Sequence, residues 1–248
     1  MLRKLLSVIG VSSLLIAAPL VAARAADMPL KAPPLSPAAA WIWAGLYVGI
    51  EGGGGWGRAE DTDSTGFDSG RFNVSGGLIG GTIGYNWQLN QFVLGLEGDG
   101  SWADIKGSTS GTVATCGGAP PNCNSKLEAI STIRGRIGAT GILPWSNVLP
   151  YVTGGLAVGS LNGSEGTTPS AGAVGSGTST VEGWTLGGGL EARLDRAWSI
   201  KAEYLYVDLG NHVIFNDTLF GGAIVGQDVR YTTNIARVGL NYRFAPRY

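Results

Sequence analysis

The sequence predicts an all-β protein, an eight-stranded antiparallel up-and-down transmembrane β-barrel with periplasmic termini and four long extracellular loops. Three observations lead there. Apolar and polar residues alternate with period two through eight separate runs, and tryptophans close several of these runs on the apolar parity. Glycine supplies 42 of 248 residues while only 14% are charged, a composition that opposes helix and suits closely packed, twisted strands. Long polar segments and short turns alternate between the runs, as in outer-membrane barrels, whose turns are periplasmic and whose loops face outward.

The barrel is expected over residues 42–248. Residues 1–25 read as a cleaved signal peptide: Arg3 and Lys4, an apolar stretch from Leu5 to Ala23, then Ala23-Arg24-Ala25. Residues 26–41, rich in proline and alanine and without period, read as an extended periplasmic linker. Loss of Arg3, Lys4 and Arg24 leaves 14 basic against 18 acidic residues and no basic stripe, so nucleic acid is not expected as a partner. After the signal no apolar run approaches the roughly 20 residues of a helical span, so a membrane would be crossed as a barrel.

The strands follow in order. The first, about 43–57, sets Leu46, Val48, Ile50 and Trp56 outward with Tyr47 and Glu51 inside; polar residues 58–71 follow as a loop. The second, 72–87, turns Ile79, Ile83, Tyr85 and Trp87 outward with Thr82 and Asn86 inside, and Gln88 to Gln91 form a tight turn. In the third, Phe92, Leu94, Leu96, Gly98, Gly100 and Trp102 face lipid while Val93, Gly95, Glu97, Asp99 and Ser101 face the lumen. At about 3.3 Å per residue and a tilt near 40° this run spans roughly 25 Å, the height of an outer-membrane apolar band. After a loop over 103–125, the fourth strand, 126–142, places Ile133, Ile137 and Ala139 outward and Glu128, Arg134 and Arg136 inward. The fifth, 148–160, has Val152, Leu156 and Val158 out and Tyr151 and Thr153 in, and leads into a Gly/Ser/Thr-rich loop over 161–180. The sixth, 181–194, opposes Trp184, Leu186, Leu190 and Leu194 to Thr185, Glu191 and Arg193. The seventh, from Trp198, opposes Ile200, Ala202, Tyr204 and Tyr206 to Lys201 and Glu203, and blurs where Leu205 and Val207 point inward. A fourth loop over 208–227 precedes the last strand, 228–244, with Ala236, Val238, Leu240, Tyr242 and Phe244 outward and Arg237, Asn241 and Arg243 inward.

The inward charges collect into Glu51, Glu97, Asp99, Glu128, Glu191 and Glu203 against Arg134, Arg136, Arg193, Lys201, Arg237 and Arg243. Charge in a low-dielectric lumen is costly unless paired, so the equal tally predicts a cross-barrel ion-pair network. Eight strands enclose a space their own side chains fill. The alternative is a narrow anion path lined by Arg134, Arg136, Arg193 and Arg237, with water pockets over inward glycines such as Gly95, Gly138, Gly155, Gly187 and Gly239. Trp43, Trp56, Trp87, Phe92, Trp102, Trp184, Trp198, Tyr206, Tyr242 and Phe244 are expected to form aromatic girdles at the two headgroup levels. Cys116 and Cys123, eight residues end to end in a Gly/Pro/Asn segment of an exported chain, predict a loop disulfide rather than a metal site.

No catalytic group, metal site or cofactor is expected. Gly52, Gly54 and Gly57 spell a dinucleotide fingerprint, but an acidic segment follows where that motif needs a helix. The single histidine, His212, has no His or Cys nearby in sequence and reads as a solvated loop residue. In the same segment Phe215 and Phe220 are unusually apolar for a loop, which suggests a binding patch or a lid. A soluble lipocalin-like barrel fails on parity, since it needs apolar residues inside.

The lead into Trp41-Ile-Trp43-Ala-Gly45-Leu-Tyr47-Val-Gly49, then Gly80-Gly-Thr-Ile-Gly84-Tyr85-Asn86-Trp87, Lys201-Ala-Glu203-Tyr204-Leu-Tyr206-Val-Asp208-Leu-Gly210 and Arg237-Val-Gly-Leu-Asn241-Tyr-Arg-Phe244, resembles the small Gram-negative outer membrane protein beta-barrel domain family. Members are also called porin family proteins and are similar to the OmpA transmembrane domain. The resemblance implies location in the cell outer membrane and a structural role in envelope integrity, with surface interaction through the extracellular loops; its alternative is a small porin passing ions or small solutes weakly. Implied partners are outer-membrane lipid, the barrel assembly machinery, and a surface ligand or host protein. The family commonly ends at the aromatic of its last strand, whereas Ala245-Pro246-Arg247-Tyr248 follow Phe244 here, leaving Phe244 or Tyr248 as the assembly signal.

Overall fold

The computed structural model describes residues 41–63, 68–110, 122–166, 176–218 and 224–244. The signal, the linker before Trp41, Cys116 and Phe220 lie outside these residues, as do the side chains of Cys123, His212 and Phe215. The described chain is a barrel of eight strands: β1 Gly45–Asp63, β2 Asp68–Leu89, β3 Phe92–Ser110, β4 Asn122–Ala139, β5 Val148–Gly166, β6 Ser176–Arg193, β7 Trp198–Thr218 and β8 Ile224–Arg243. Each pairs antiparallel with its neighbour in sequence, and β1 closes on β8 from Tyr47↔Arg243 to Asp63↔Gln227. No helix among the described residues is long and apolar enough to cross a membrane.

Three connections at one end, the turn end, are short and carry their own chemistry. Asn90 takes a left-handed φ of 56° in the two-residue link between the paired Leu89 and Phe92, a conformation asparagine tolerates. Gly141, at φ 79°, begins the turn between β4 and β5. Between β6 and β7 the Asp195 carboxylate accepts hydrogen bonds from the amides of Ala197 and Trp198, both 2.7 Å. These bonds hold its carboxyl below the usual range.

At the opposite rim the strands run well past their expected ends. Much of what the sequence suggested as loop, 58–71, 103–125, 161–180 and 208–227, is continued barrel wall, and both His212 and Phe215 lie on β7. The reason is an inversion of parity. Between Leu46 and Trp56, and from Phe92 to Trp102, outward residues are apolar and exposed, as in a surface dissolved in lipid. Beyond Trp56, Trp102 and Trp184 the same faces show Arg58, Arg71, Asn73, Asp104, Lys106 and Glu182, a surface for water. The inward faces there carry Phe72, Val74, Ile105, Leu127, Val207, Leu209 and Tyr231, which pack as one buried apolar cluster. The barrel is thus inside-out within its apolar belt and built like a soluble barrel above it.

Candidate functional site

Among the described residues, the lumen gathers charged side chains from strands all around the barrel. Alternation sends every second residue inward; six of the eight strands deliver a charged member, and β5 adds the Tyr151 hydroxyl. Arg134, wholly buried, donates to Glu97 at 2.6 Å, to Asp99 at 2.9 Å, to Glu203 at 2.9 Å and to the Thr132 hydroxyl at 2.8 Å. Arg237 donates from Nε and Nη2 to Glu203 at 2.9 and 2.7 Å, and from Nη1 to Asp99 at 2.9 Å and to Glu51. Lys201 bridges Glu51 and Glu97, 3.1 Å each. Closer to the turn end, Arg136 donates to Glu191 at 2.8 Å and lies 4.0 Å above the Tyr151 ring, while Arg243 faces Glu191 at 3.6 Å. Tyr47 and Tyr151 donate their hydroxyls to Glu97 at 2.6 Å and Glu203 at 3.0 Å.

Two residues expected in this network stand elsewhere. Glu128 occupies a β-bulge, where Leu127 pairs with Leu161 and Ala129 with Ser160 so that one residue of β4 is left over. The bulge switches the parity. Leu127 turns inward, and the half-exposed Glu128 side chain meets Lys126 at 3.3 Å. Arg193 is buried but sits among backbone carbonyls, donating to those of Ile42 at 3.0 Å, Asp195 at 3.2 Å and Arg196. What remains is Glu51, Glu97, Asp99, Glu191 and Glu203 against Arg134, Arg136, Lys201, Arg237 and Arg243, so the layer stays neutral.

Both sides of the ionic layer are packed. Toward the turn end Trp43 is fully buried against Val93 and Leu149, with Trp41 beside them. Trp43 therefore plugs the lumen instead of joining a girdle, because the segment before Gly45 folds inward under the barrel. The guanidiniums of Arg193 and Arg243 lie over its ring at 5.5 Å. Toward the far rim the apolar cluster takes over. Four of the five inward glycines named above lie beneath lumen side chains, and Gly155 lies against the backbone of Ile133 and Arg134. A Cβ on Gly95 would run into Arg136, on Gly138 into Leu149, on Gly187 into Leu205 and on Gly239 into Lys201, so these glycines are where large lumen side chains lie against the wall.

The remaining girdle aromatics point outward. Trp87, Phe92, Trp198, Tyr242 and Phe244 stand at the turn end, with Trp198 on Tyr242 at 5.1 Å between centroids; Trp56, Trp102, Trp184 and Tyr206 stand toward the other rim, with Trp184 on Tyr206 at 5.5 Å. Tyr85 and Tyr204 stand beside them, in tilted ring contacts with Trp87 and Trp56. Among the described residues no group of His, Cys, Asp and Glu side chains is arranged to hold a metal ion.

The chain is similar to known proteins along most of its length. Residues 13–244 match the family model described as outer membrane protein beta-barrel domain. The 31 kDa outer-membrane immunogenic protein of Brucella melitensis is 35% identical over 236 residues, spanning 90% of this chain and 93% of its own. The 25 kDa outer-membrane immunogenic protein of Brucella abortus is 28% identical, spanning 88% and 87%, and the 22 kDa outer membrane protein of Rhizobium leguminosarum 30%, spanning 71% and 67%. Among solved structures, OprG of Pseudomonas aeruginosa superposes with a TM-score of 0.48 at 14% identity over 81% of this chain and 96% of its own. With a closed eight-stranded wall, an apolar outer belt and a match along nearly its whole length, the chain belongs to the outer membrane protein beta-barrel domain family and resides in the outer membrane.

Proposed function

We propose that this barrel is a structural and surface-presenting protein of the outer membrane, one that strengthens the envelope and meets outside partners with the rim opposite its short turns. The filled lumen carries this reading: a neutral ionic layer lies between the Trp43 plug and the apolar cluster, and long side chains cover the inward glycines. A diffusion channel needs mobile water along its axis, and eight strands crowded in this way give it little room. The rim with elongated strands faces outward and the turns face the periplasm, in keeping with the general asymmetry of such barrels. Relatives named immunogenic support exposure of that rim to the surroundings of the cell. Outer-membrane lipid holds the apolar belt, the barrel assembly machinery inserts it, and a surface ligand or host protein is met at the rim, where Phe215 and Phe220 would contribute an apolar patch. The Cys116–Cys123 pair would staple the connection between β3 and β4.

Planar-bilayer recording on the folded protein tests the reading, together with antibody binding to intact cells. A silent bilayer and antibodies that recognise the far rim on unbroken cells are expected. Discrete conductance steps whose ion selectivity reverses in Arg134→Glu would overturn it and make the protein a small porin.

A further inference from the structure

On the outer wall, directly above the aromatic belt, Arg58, Glu60, Arg71, Tyr206, Arg230 and Thr232 line a polar groove of about 220 Å³. Strand register builds it. Arg71, Glu60 and Arg230 form one cross-strand row over β2, β1 and β8, and Arg58 and Thr232 pair in the row beneath. All five point away from the lumen. Two residues below Arg58 on the same face is Trp56, and two below Tyr206 is Tyr204, their rings 6.2 Å apart. Such aromatics mark the headgroup level of a bilayer. Two residues further along a tilted strand is about 5 Å, so the guanidiniums stand at the depth of lipid phosphates and sugars.

Three guanidiniums meet two carboxylates, an excess of one positive charge. Glu60 pairs with Arg71 at 2.8 Å and Asp208 lies 4.0 Å from Arg230, but among the described residues Arg58 has no carboxylate partner. At the same height the wall of β5 and β6 offers Asn162, Thr178, Thr180 and Glu182, with no base. We infer that the Arg58–Arg71–Arg230 groove binds the phosphate of a glycolipid headgroup in the leaflet that surrounds the outer rim. The planar guanidinium fork matches a phosphate face with two parallel hydrogen bonds. The Thr232 hydroxyl and the Tyr206 ring and hydroxyl suit the sugar that carries it. This assignment rests on the orientation proposed above; the binding test itself needs no orientation.

The test uses native mass spectrometry of the protein extracted folded in neutral detergent, titrated with bisphosphorylated lipid A and with its dephosphorylated form. The phosphorylated lipid should bind at least about tenfold more tightly, and Arg58→Gln with Arg230→Gln should remove that preference, as expected for two charge-assisted bonds lost. Lys106→Gln with Lys126→Gln, at the same height outside the groove, should leave it intact. Heat-dependent gel mobility verifies folding of each variant, and Arg58→Gln alone serves if the double variant does not fold. Equal affinity for the two lipids, retention of the preference in the arginine variants, or an equal loss in the lysine control would overturn the assignment. Displacement of the lipid by an equimolar amount of inorganic phosphate would also overturn it, showing a site for the free anion. Surface labelling of intact cells reports separately on which way the rim faces.

Discussion

Removing the Arg134 guanidinium is the sharpest test of the ionic layer. Arg134→Met keeps most of the aliphatic stem and deletes the guanidinium with its positive charge from a site with no solvent access. Three carboxylates lose a partner, yet none is left alone: Glu97 keeps Lys201 and Tyr47, Asp99 keeps Arg237 and Thr132, and Glu203 keeps Arg237 and Tyr151. The cost is therefore that of one uncompensated buried charge rather than three, about 3–5 kcal/mol. With an unfolding slope of roughly 2–3 kcal/mol per molar urea the midpoint falls by about 1–2.5 M. Urea titration of the barrel in detergent, followed by tryptophan fluorescence and gel mobility, measures it. Adding Asp99→Asn restores neutrality and should recover part of the loss, since balanced removal of a buried pair is far cheaper than removal of one member. A single variant within about 1 kcal/mol of the parent, or a double variant no more stable than the single, would refute the argument that charge balance holds the layer together.

Other outcomes follow from the same geometry. Trp43→Ala opens the turn-end plug and takes the ring from beneath Arg193 and Arg243, so it should destabilise the barrel by about 3–5 kcal/mol in the urea assay. Ile105→Ala, in the apolar cluster above the membrane belt, should cost about 2–5 kcal/mol if that segment is a packed core; an effect below 0.5 kcal/mol, on the order seen for surface changes, would show it is not. Leu96→Arg, on the lipid face near mid-belt, should cost about 2–4 kcal/mol in bilayers. Asp195 has a carboxyl held low by two amide donors, so its contribution is complete above its unfolded pKa and fades as pH falls through the lower folded value. Asp195→Asn should therefore flatten the acid limb of the stability profile and leave the neutral region nearly parallel to the parent, as read by urea midpoints at a series of pH values.

The membrane belt was legible because lipid imposes a strict rule. From Phe92 to Trp102 each side chain has one permitted face, so parity alone places Glu97 and Asp99 in the lumen and Leu94 and Leu96 outside. Above the belt the rule reverses, and the period blurs at Leu205-Tyr206-Val207-Asp208 although β7 continues there with Leu205 and Val207 buried inside. The inward Leu205 and Val207 were the visible trace of that reversal. Glu128 was misplaced because period two presumes an unbroken ladder, and a bulge leaves no mark in a sequence without its partner strand. Trp43 stands at the start of the first strand, where a girdle is expected, yet its odd position shares the inward parity of Tyr47 and Glu51; the strand proper begins at Gly45, whose φ of 118° lets the preceding segment turn under the lumen.

The distribution of charge among the strands also bears on how the wall closes. Glu51 on the first strand and Arg237 on the last lie 186 positions apart, and their bond spans the seam. A sheet of strands β1 to β7 alone would gather Glu51, Glu97, Asp99, Glu191 and Glu203 around only Arg134, Arg136 and Lys201. Its concave face would carry an excess of two negative charges. Strand β8 brings Arg237 and Arg243, so the last segment to be made arrives with the counter-charge its neighbours lack. The charged layer is therefore balanced only in the complete ring of eight strands, with β8 supplying both of the missing positive charges.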